Sequence, residues 1–337
     1  MIRSSRTLWC CCILTMSIAR VGAADRPDAA LDAYAMPGAR VDIGGRALNL
    51  RCTGSGPTVL LESGATADSM AWSKVQPEVA KFAHACAYDR AAYGFSDGGP
   101  LPRDIDAYAA DLHALIHAAH LATPIVLVGH SYGSSIARRY ADRYAADVAA
   151  LVLVDPPPQN VAEFSPAWQE SEDEQTAQGL ANFRICEQGA ARHQLDASPL
   201  PPELQRCLRG PDPRYSEALN AAQRAYKARP AFWRTLISMH ETSNALYKQP
   251  VSPHESHGAT PLIVLQPDAP FDDASPDDRK ALEAARRKTQ AAIAATSTRG
   301  EIVAVAHSSH DVHIDRPDAV IEAIRKALRR GVATPAR

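Results

Sequence analysis

The chain has 337 residues, 46% of them hydrophobic and 22% charged, with a formal net charge of −2. This is an ordinary composition for a folded protein with ample core material, enough for one large α/β domain with an insertion or for two domains. No repeat or low-complexity tract interrupts it, and the mildly acidic balance argues against nucleic acid as a partner.

The N-terminus carries Arg3 and Arg6, then the apolar run Leu8–Ala19, then Gly22-Ala23-Ala24. A positive flank, a short apolar stretch and small residues at a cleavage point describe a secretory signal peptide over residues 1–24, cut after Ala23 or Ala24. The run falls short of the roughly 20 apolar residues that span a bilayer, so no stable membrane insertion is expected after cleavage. Arg20, close to the cut, departs from the usual pattern and leaves an uncleaved anchor as the alternative. Cys10, Cys11 and Cys12 follow Leu8-Trp9 rather than small residues and do not read as a lipid-attachment signal. Removing residues 1–24 takes away Arg3, Arg6 and Arg20 and no acid, so the formal charge moves from −2 to −5. Cys52, Cys86, Cys186 and Cys207 remain, an even number that suggests disulfides in an exported protein. Three pairings are possible. Cys52–Cys86 and Cys186–Cys207 are preferred because each couple lies within one segment of the layout below.

Strands are expected at about residues 39–43, 46–52, 58–62, 84–88, 125–129, 150–154, 262–266 and 301–305, several of them short apolar runs suited to burial on both faces. Between them, 104–120 places Ile105, Tyr108, Leu112, Leu115 and Ile116 along one helical face, with Asp104 or Asp106 near its start. Residues 276–296 and 317–330 also read as helices, the latter opened by Pro317 and closed near Gly331. Alternating strands and helices imply a mostly parallel sheet covered on both faces. The rhythm breaks over 156–260, which has helical character, proline clusters and the aromatics Phe164, Trp168, Phe183, Phe232 and Trp233. A disordered linker would hold few aromatics, so this stretch is expected to be a helical cap dividing a core of 25–155 and 261–337.

The richest chemical signal is Ile125–Ser135, a buried strand followed by Gly129-His130-Ser131-Tyr132-Gly133 and a helix. A Gly-x-Ser-x-Gly turn in that context is a nucleophile elbow: the glycines admit neighbouring backbone while the serine hydroxyl is exposed at a helix N-terminus. The plain alternative is a tight turn whose serine caps the helix.

The strand pattern, the elbow after the fifth strand, the insertion after the sixth and a late histidine together resemble the α/β-hydrolase superfamily. The likeness covers residues 38–330 apart from the insertion. It rests on the elbow and on Thr58-Val-Leu-Leu-Glu-Ser-Gly64, Tyr88-Asp-Arg-Ala-Ala-Tyr-Gly-Phe-Ser-Asp97, Leu151-Val-Leu-Val-Asp-Pro156 and Ser309-His-Asp-Val-His-Ile-Asp-Arg-Pro317. Ala92 stands where such hydrolases usually have glycine. The resemblance implies an eight-stranded α/β-hydrolase fold with a helical cap, and a serine esterase or lipase-like activity needing no cofactor.

A serine hydroxyl needs an adjacent base and an orienting carboxylate. The resemblance implies Ser131 as nucleophile and His310 as base, ahead of its neighbours His307 and His313, with His130 packing structurally. For the acid, Asp155 at the end of the sixth strand is preferred to Asp268 after the seventh, because Asp268 departs from the family's usual spacing. Backbone N–H groups of Tyr132 and Ala65 are the expected oxyanion-hole donors. His113 and His117, four apart on a helix, have a spacing that can hold zinc, but no carboxylate or third ligand is placed with them and a solvated helix face is the preferred reading; His254 and His257 in a short polar loop share the same weakness. No metal and no cofactor are expected. The expected partner is a small acyl substrate. A proline-iminopeptidase-like activity would need cap carboxylates such as Glu170, Glu172, Asp173 or Glu174 to bind an amino group. A non-catalytic binding protein on the same scaffold is the reading from outside enzymology.

Overall fold

The computed structural model describes residues 27–271 and 274–331; the expected signal segment lies outside them. In chain order the regular elements are β1 (Ala39–Asp42), β2 (Ala47–Thr53), β3 (Thr58–Glu62), α1 (Gln76–Val79), β4 (His84–Tyr88), α2 (Ile105–Ala118), β5 (Ile125–His130), α3 (Tyr132–Arg143) and β6 (Val148–Val154). Then come α4 (Pro166–Ala191), α5 (Glu217–Lys227), α6 (Pro230–Tyr247), β7 (Leu262–Pro267), α7 (Pro276–Ala295), β8 (Gly300–Val305), α8 (Val312–Asp315) and α9 (Pro317–Gly331). The strands form one eight-stranded sheet in the order β1-β2-β4-β3-β5-β6-β7-β8. β2 pairs antiparallel with β1 and β4, and every other pairing is parallel. This is the α/β-hydrolase fold.

β3, β5 and β6 are buried along their whole length, which is why they read as unbroken apolar runs. Alternate side chains serve opposite faces of the sheet. Leu60, Leu127 and Leu151 pack with Leu112, Ile116, Tyr140 and Ile293 on one face, whereas Leu61, Val128 and Val152 pack with Val79, Val320 and Ile324 on the other. Local chemistry sets the helix starts. Asp104 rather than Asp106 caps α2, accepting from the Ala107 N–H, and Ser275 does the same for α7 before Pro276. β6 begins at Val148, earlier than the apolar pattern predicted: Val148 pairs with Ile125 and Ala150 with Val126, so the β5–β6 register shifts by one residue there. Ala92 takes the left-handed conformation, φ 69°, and its N–H donates to the Asp97 carbonyl. The turn that glycine usually makes is thus kept at the expense of strain.

Between β6 and β7 the chain is helical. Cys186, Leu204, Tyr226, Phe232, Trp233 and Leu236 of this insertion share a buried cluster with Tyr93, Tyr108 and Tyr132 of the sheet domain. Phe164 and Trp168 lie apart from it: Phe164 is 39% exposed, and Trp168 packs with Val161, Leu282 and Ala285 beside α7. Disulfides join Cys52 to Cys86, directly opposed on β2 and β4, and Cys186 to Cys207 inside the insertion. The second pair closes a loop with a sequence separation of 21. By loop-closure entropy it is worth about 3 kcal/mol. Cys186→Ser/Cys207→Ser is therefore expected to lower the midpoint of urea unfolding. An unchanged midpoint would mean that the loop is held by packing alone.

Candidate active site

β5 and β6 run parallel with His130 opposite Val154, so the residues that follow, Ser131 and Asp155, leave the carboxyl edge of the sheet side by side. The Ser131 N–H donates to the Val154 carbonyl and the Asp155 N–H to the Leu265 carbonyl. Both turn through positive φ, 51° and 42°, a conformation costing about 1–3 kcal/mol for a residue with a side chain. Ser131 occupies the N-cap position of α3, with ψ −123°, but its hydroxyl makes no capping hydrogen bond, unlike a serine placed only to start a helix. The flanking glycines are required by close approach. A Cβ on Gly129 would sit 2.4 Å from the Gly133 carbonyl oxygen, and one on Gly133 would sit 2.6 Å from the carbonyl oxygens of Glu62 and Ser63.

The loop between β8 and α8 delivers His310 to this edge. Its Nδ1–H donates to Asp155 Oδ2 at 2.7 Å. Burial opposes protonation of the ring, but the hydrogen bond to Asp155 and the charges of Asp155 and Asp311 outweigh it, and the pKa is raised. With Nδ1 holding the proton, Nε2 carries the lone pair of the neutral ring. Asp155 is buried, and its other oxygen accepts from Gln290 Nε2 at 2.8 Å. Arg286 Nη1 lies 3.5 Å from that oxygen while donating to the Pro267 carbonyl. Both supporting side chains come from α7, and sequence reasoning missed them.

The rival histidines are placed otherwise. His313 is buried against Trp72 and His130, and burial together with the charge of His310 pushes its pKa down to about 4. His307 is exposed, and its backbone N–H donates to Asp268. Asp268 is itself exposed and accepts from the backbone N–H groups of His307 and Ser308, so it orders the loop that carries His310, whose ring is instead bonded to Asp155. His130 is buried, and its pKa is lowered well below the ordinary value by desolvation and by His313 and His310. Its Nε2–H donates to the His310 carbonyl at 3.1 Å, tying the elbow to the histidine loop.

Tyr132 opens α3, where backbone N–H groups have no intrahelical acceptor. Ala65 follows β3, and the device that orients it is Arg90, which the sequence did not mark as part of the site. This buried guanidinium pairs with Glu62 and donates to the carbonyls of Ser63, Gly64 and Ala65. In a trans peptide the C=O and N–H point opposite ways. Holding the Gly64 carbonyl toward Arg90 therefore aims the Ala65 N–H away from it. Gly64 packs against the elbow: a Cβ there would lie 2.9 Å from His130 Nδ1 and 3.6 Å from Ser131 Cβ. Arg90 belongs to the Tyr-Asp-Arg segment, which was the available signal.

A cleft of about 1370 Å³ opens over the insertion, with Phe183, Phe232, Trp233 and Leu236 on one part of its wall and polar residues, among them Arg206, Arg209, Arg214, Arg224 and Lys227, on the rest. Thr66, also in the wall, adjoins Ala65, and Phe232, Trp233 and Leu236 belong to the same buried cluster as Tyr132; Ser131, Asp155 and His310 are not themselves among the residues lining the cleft. The acidic run on α4 lies at the surface, with Asp173 accepting from Lys248 and Gln169. His254 is exposed. His257 is buried against Glu255, which Arg138 grips through two nitrogens.

Known proteins fit this architecture. The protein YqjL of Bacillus subtilis (strain 168) is 31% identical over 111 residues, 33% of this chain and 44% of its own length. The 2-(acetamidomethylene)succinate hydrolase of Mesorhizobium japonicum is 33% identical over 116 residues, 34% of this chain and 41% of its own length. The matches thus span less than half of either relative. A solved thermophilic esterase from Thermogutta terrifontis superposes with a TM-score of 0.52 at 20% identity, covering 87% of this chain and 97% of that one, a likeness of fold alone. The sequence model of the alpha/beta hydrolase family matches residues 59–323, a span running from β3 into α9, and the chain belongs to that family.

Proposed function

We propose that the protein is an exported serine hydrolase that cleaves a carboxylic ester through Ser131, His310 and Asp155. The observation that carries this reading is the 2.7 Å hydrogen bond from His310 to Asp155, made where Asp155 leaves the sheet beside the uncapped Ser131. His310 Nε2 takes the hydroxyl proton as Ser131 Oγ attacks the acyl carbon. The N–H groups of Tyr132 and Ala65 receive the developing oxyanion, each worth about 3–4 kcal/mol. His310 then returns the proton to the departing alcohol as the C–O bond breaks, leaving an acyl-serine. Water, deprotonated by the same imidazole, releases the acid. None of these steps needs a cofactor. Phe183, Phe232 and Trp233 in the cleft wall suit an apolar acyl or alcohol group, and a small or medium ester is the substrate this reading expects. Two disulfides and the N-terminal pattern support export, and among the described residues no helix is long and apolar enough to cross a membrane.

The test is labelling with a fluorophosphonate, followed by an ester panel of graded acyl length. The expected result is one label, absent in Ser131→Ala, with turnover of at least one ester. An unlabelled parent protein would favour a binding role, and faster cleavage of a proline anilide than of any ester would favour an aminopeptidase. A pH dependence follows from the raised His310 pKa. The base must be neutral to accept a proton, so kcat/KM is expected to climb with pH through a value above that of free imidazole, and a limb on the acid side of it would contradict the assignment.

A further inference from the structure

At the opposite end of α3, three ligand-type side chains converge on one point. His113 and His117 are four residues apart on α2 and share a face of the helix. Asp147, which sequence spacing could not place with them, ends the single turn between α3 and β6. His113 Nδ1 lies 3.3 Å and His117 Nε2 3.5 Å from the same carboxylate oxygen, Asp147 Oδ2, and the three atoms all lie within 4.8 Å of one another. An imidazolium–carboxylate hydrogen bond is shorter, about 2.7–2.9 Å. A tetrahedral ion with bonds of about 2.0–2.2 Å instead separates its ligand atoms by about 3.3–3.6 Å. The surroundings hold the donors in place, as the outer shells of metal sites do. The His113 ring stacks on Tyr144 with centroids 3.9 Å apart and planes inclined by 5°, and the Tyr140 hydroxyl donates to Asp147 Oδ2 at 2.8 Å.

We propose that His113, His117 and Asp147 bind one divalent cation of the zinc class, with water completing the tetrahedron. His117 is 55% exposed and His113 34%, so the ion enters directly from solution. The site is remote from the ester chemistry. α3 runs from Tyr132 to Arg143, about 18 Å at 1.5 Å per residue, and Asp147 precedes the strand whose far end bears Asp155. The bound ion fastens α2 to the entry of β6, so its effect is on stability and does not depend on the hydrolase reading.

The experiment titrates Zn²⁺ into the chelator-treated full chain by calorimetry and follows Tm with and without Zn²⁺. One ion per chain is expected to bind with a micromolar or tighter Kd. His117→Ala and His113→Gln should weaken it at least tenfold, and an upward shift of Tm in the parent should be absent in both variants. His117→Ala removes an exposed ring, so its metal-free Tm should match the parent's and separate lost binding from lost fold. Binding unchanged in His117→Ala, or no saturable Zn²⁺ uptake by the parent below about 1 mM, overturns the proposal.

Discussion

Asp155→Asn is expected to lower kcat about 10⁴-fold toward a good ester substrate, while Asp268→Asn changes it little. The asparagine fills the same volume, so Gln290 can keep its contact, but the amide can present an NH₂ where His310 now finds an acceptor. The imidazole then loses the partner that keeps its proton on Nδ1, and Nε2 is no longer held as the base. The same substitution removes the interaction that raises the His310 pKa against burial. The residual activity of Asp155→Asn should therefore have its acid limb displaced to lower pH. Asp268, by contrast, accepts backbone N–H groups of the loop before His310. The measurement is steady-state kinetics of both variants over a pH series. A larger loss in Asp268→Asn than in Asp155→Asn would reverse the assignment of the acid.

Arg90→Met is expected to lose about 3–5 kcal/mol of folding stability, the usual result of removing one member of a buried ion pair. Glu62 is fully buried, and its carboxyl is already raised by desolvation against the opposing effects of Arg90 and Tyr88. Without the guanidinium its folded-state pKa rises further. A group whose pKa is higher folded than unfolded favours the fold below its unfolded value and disfavours it progressively as pH climbs through the folded one. The variant should thus be closest to the parent in acid and weakest at neutral pH and above. Adding Glu62→Gln should recover part of the stability, because the Tyr88 hydroxyl that now donates to Glu62 can donate equally to an amide oxygen. It should not recover turnover, because the carbonyls of Ser63, Gly64 and Ala65 would still lack the donor that orients the Ala65 N–H. Urea unfolding from pH 5 to 8 with parallel ester kinetics separates these effects. A loss below about 1 kcal/mol in Arg90→Met, or a double variant with full activity, would show that the β3 loop holds its shape without this clamp.

How much of this was legible beforehand depended on range. Val126, Leu127, Leu151 and Leu262 sit in short apolar runs because their strands are covered on both faces, and a run of that kind is visible within a few residues. The elbow was legible for a related reason: Gly129 and Gly133 are demanded by contacts of 2.4–2.6 Å, and only glycine tolerates them. Cys52 and Cys86 were paired with each other because both lie in one segment of the core, and β2 and β4 place them directly opposite. The choice of His310 over His307 and His313 came from likeness to a family, since three histidines within one loop cannot be separated by pattern.

The amino-acid order alone determined the alternation of strand and helix, the position of the serine turn and the helical nature of the insertion. These follow from side-chain size, apolar period and backbone freedom, which act between near neighbours. Only the tertiary structure decided that Gln290 meets Asp155 across a separation of 135 residues, that Arg90 holds three carbonyls of the β3 loop, and that Asp147 lies beside His113 and His117. Such meetings are set by the order in which strands join the sheet, and a directed hydrogen bond or an ion pair leaves no periodic trace along the chain.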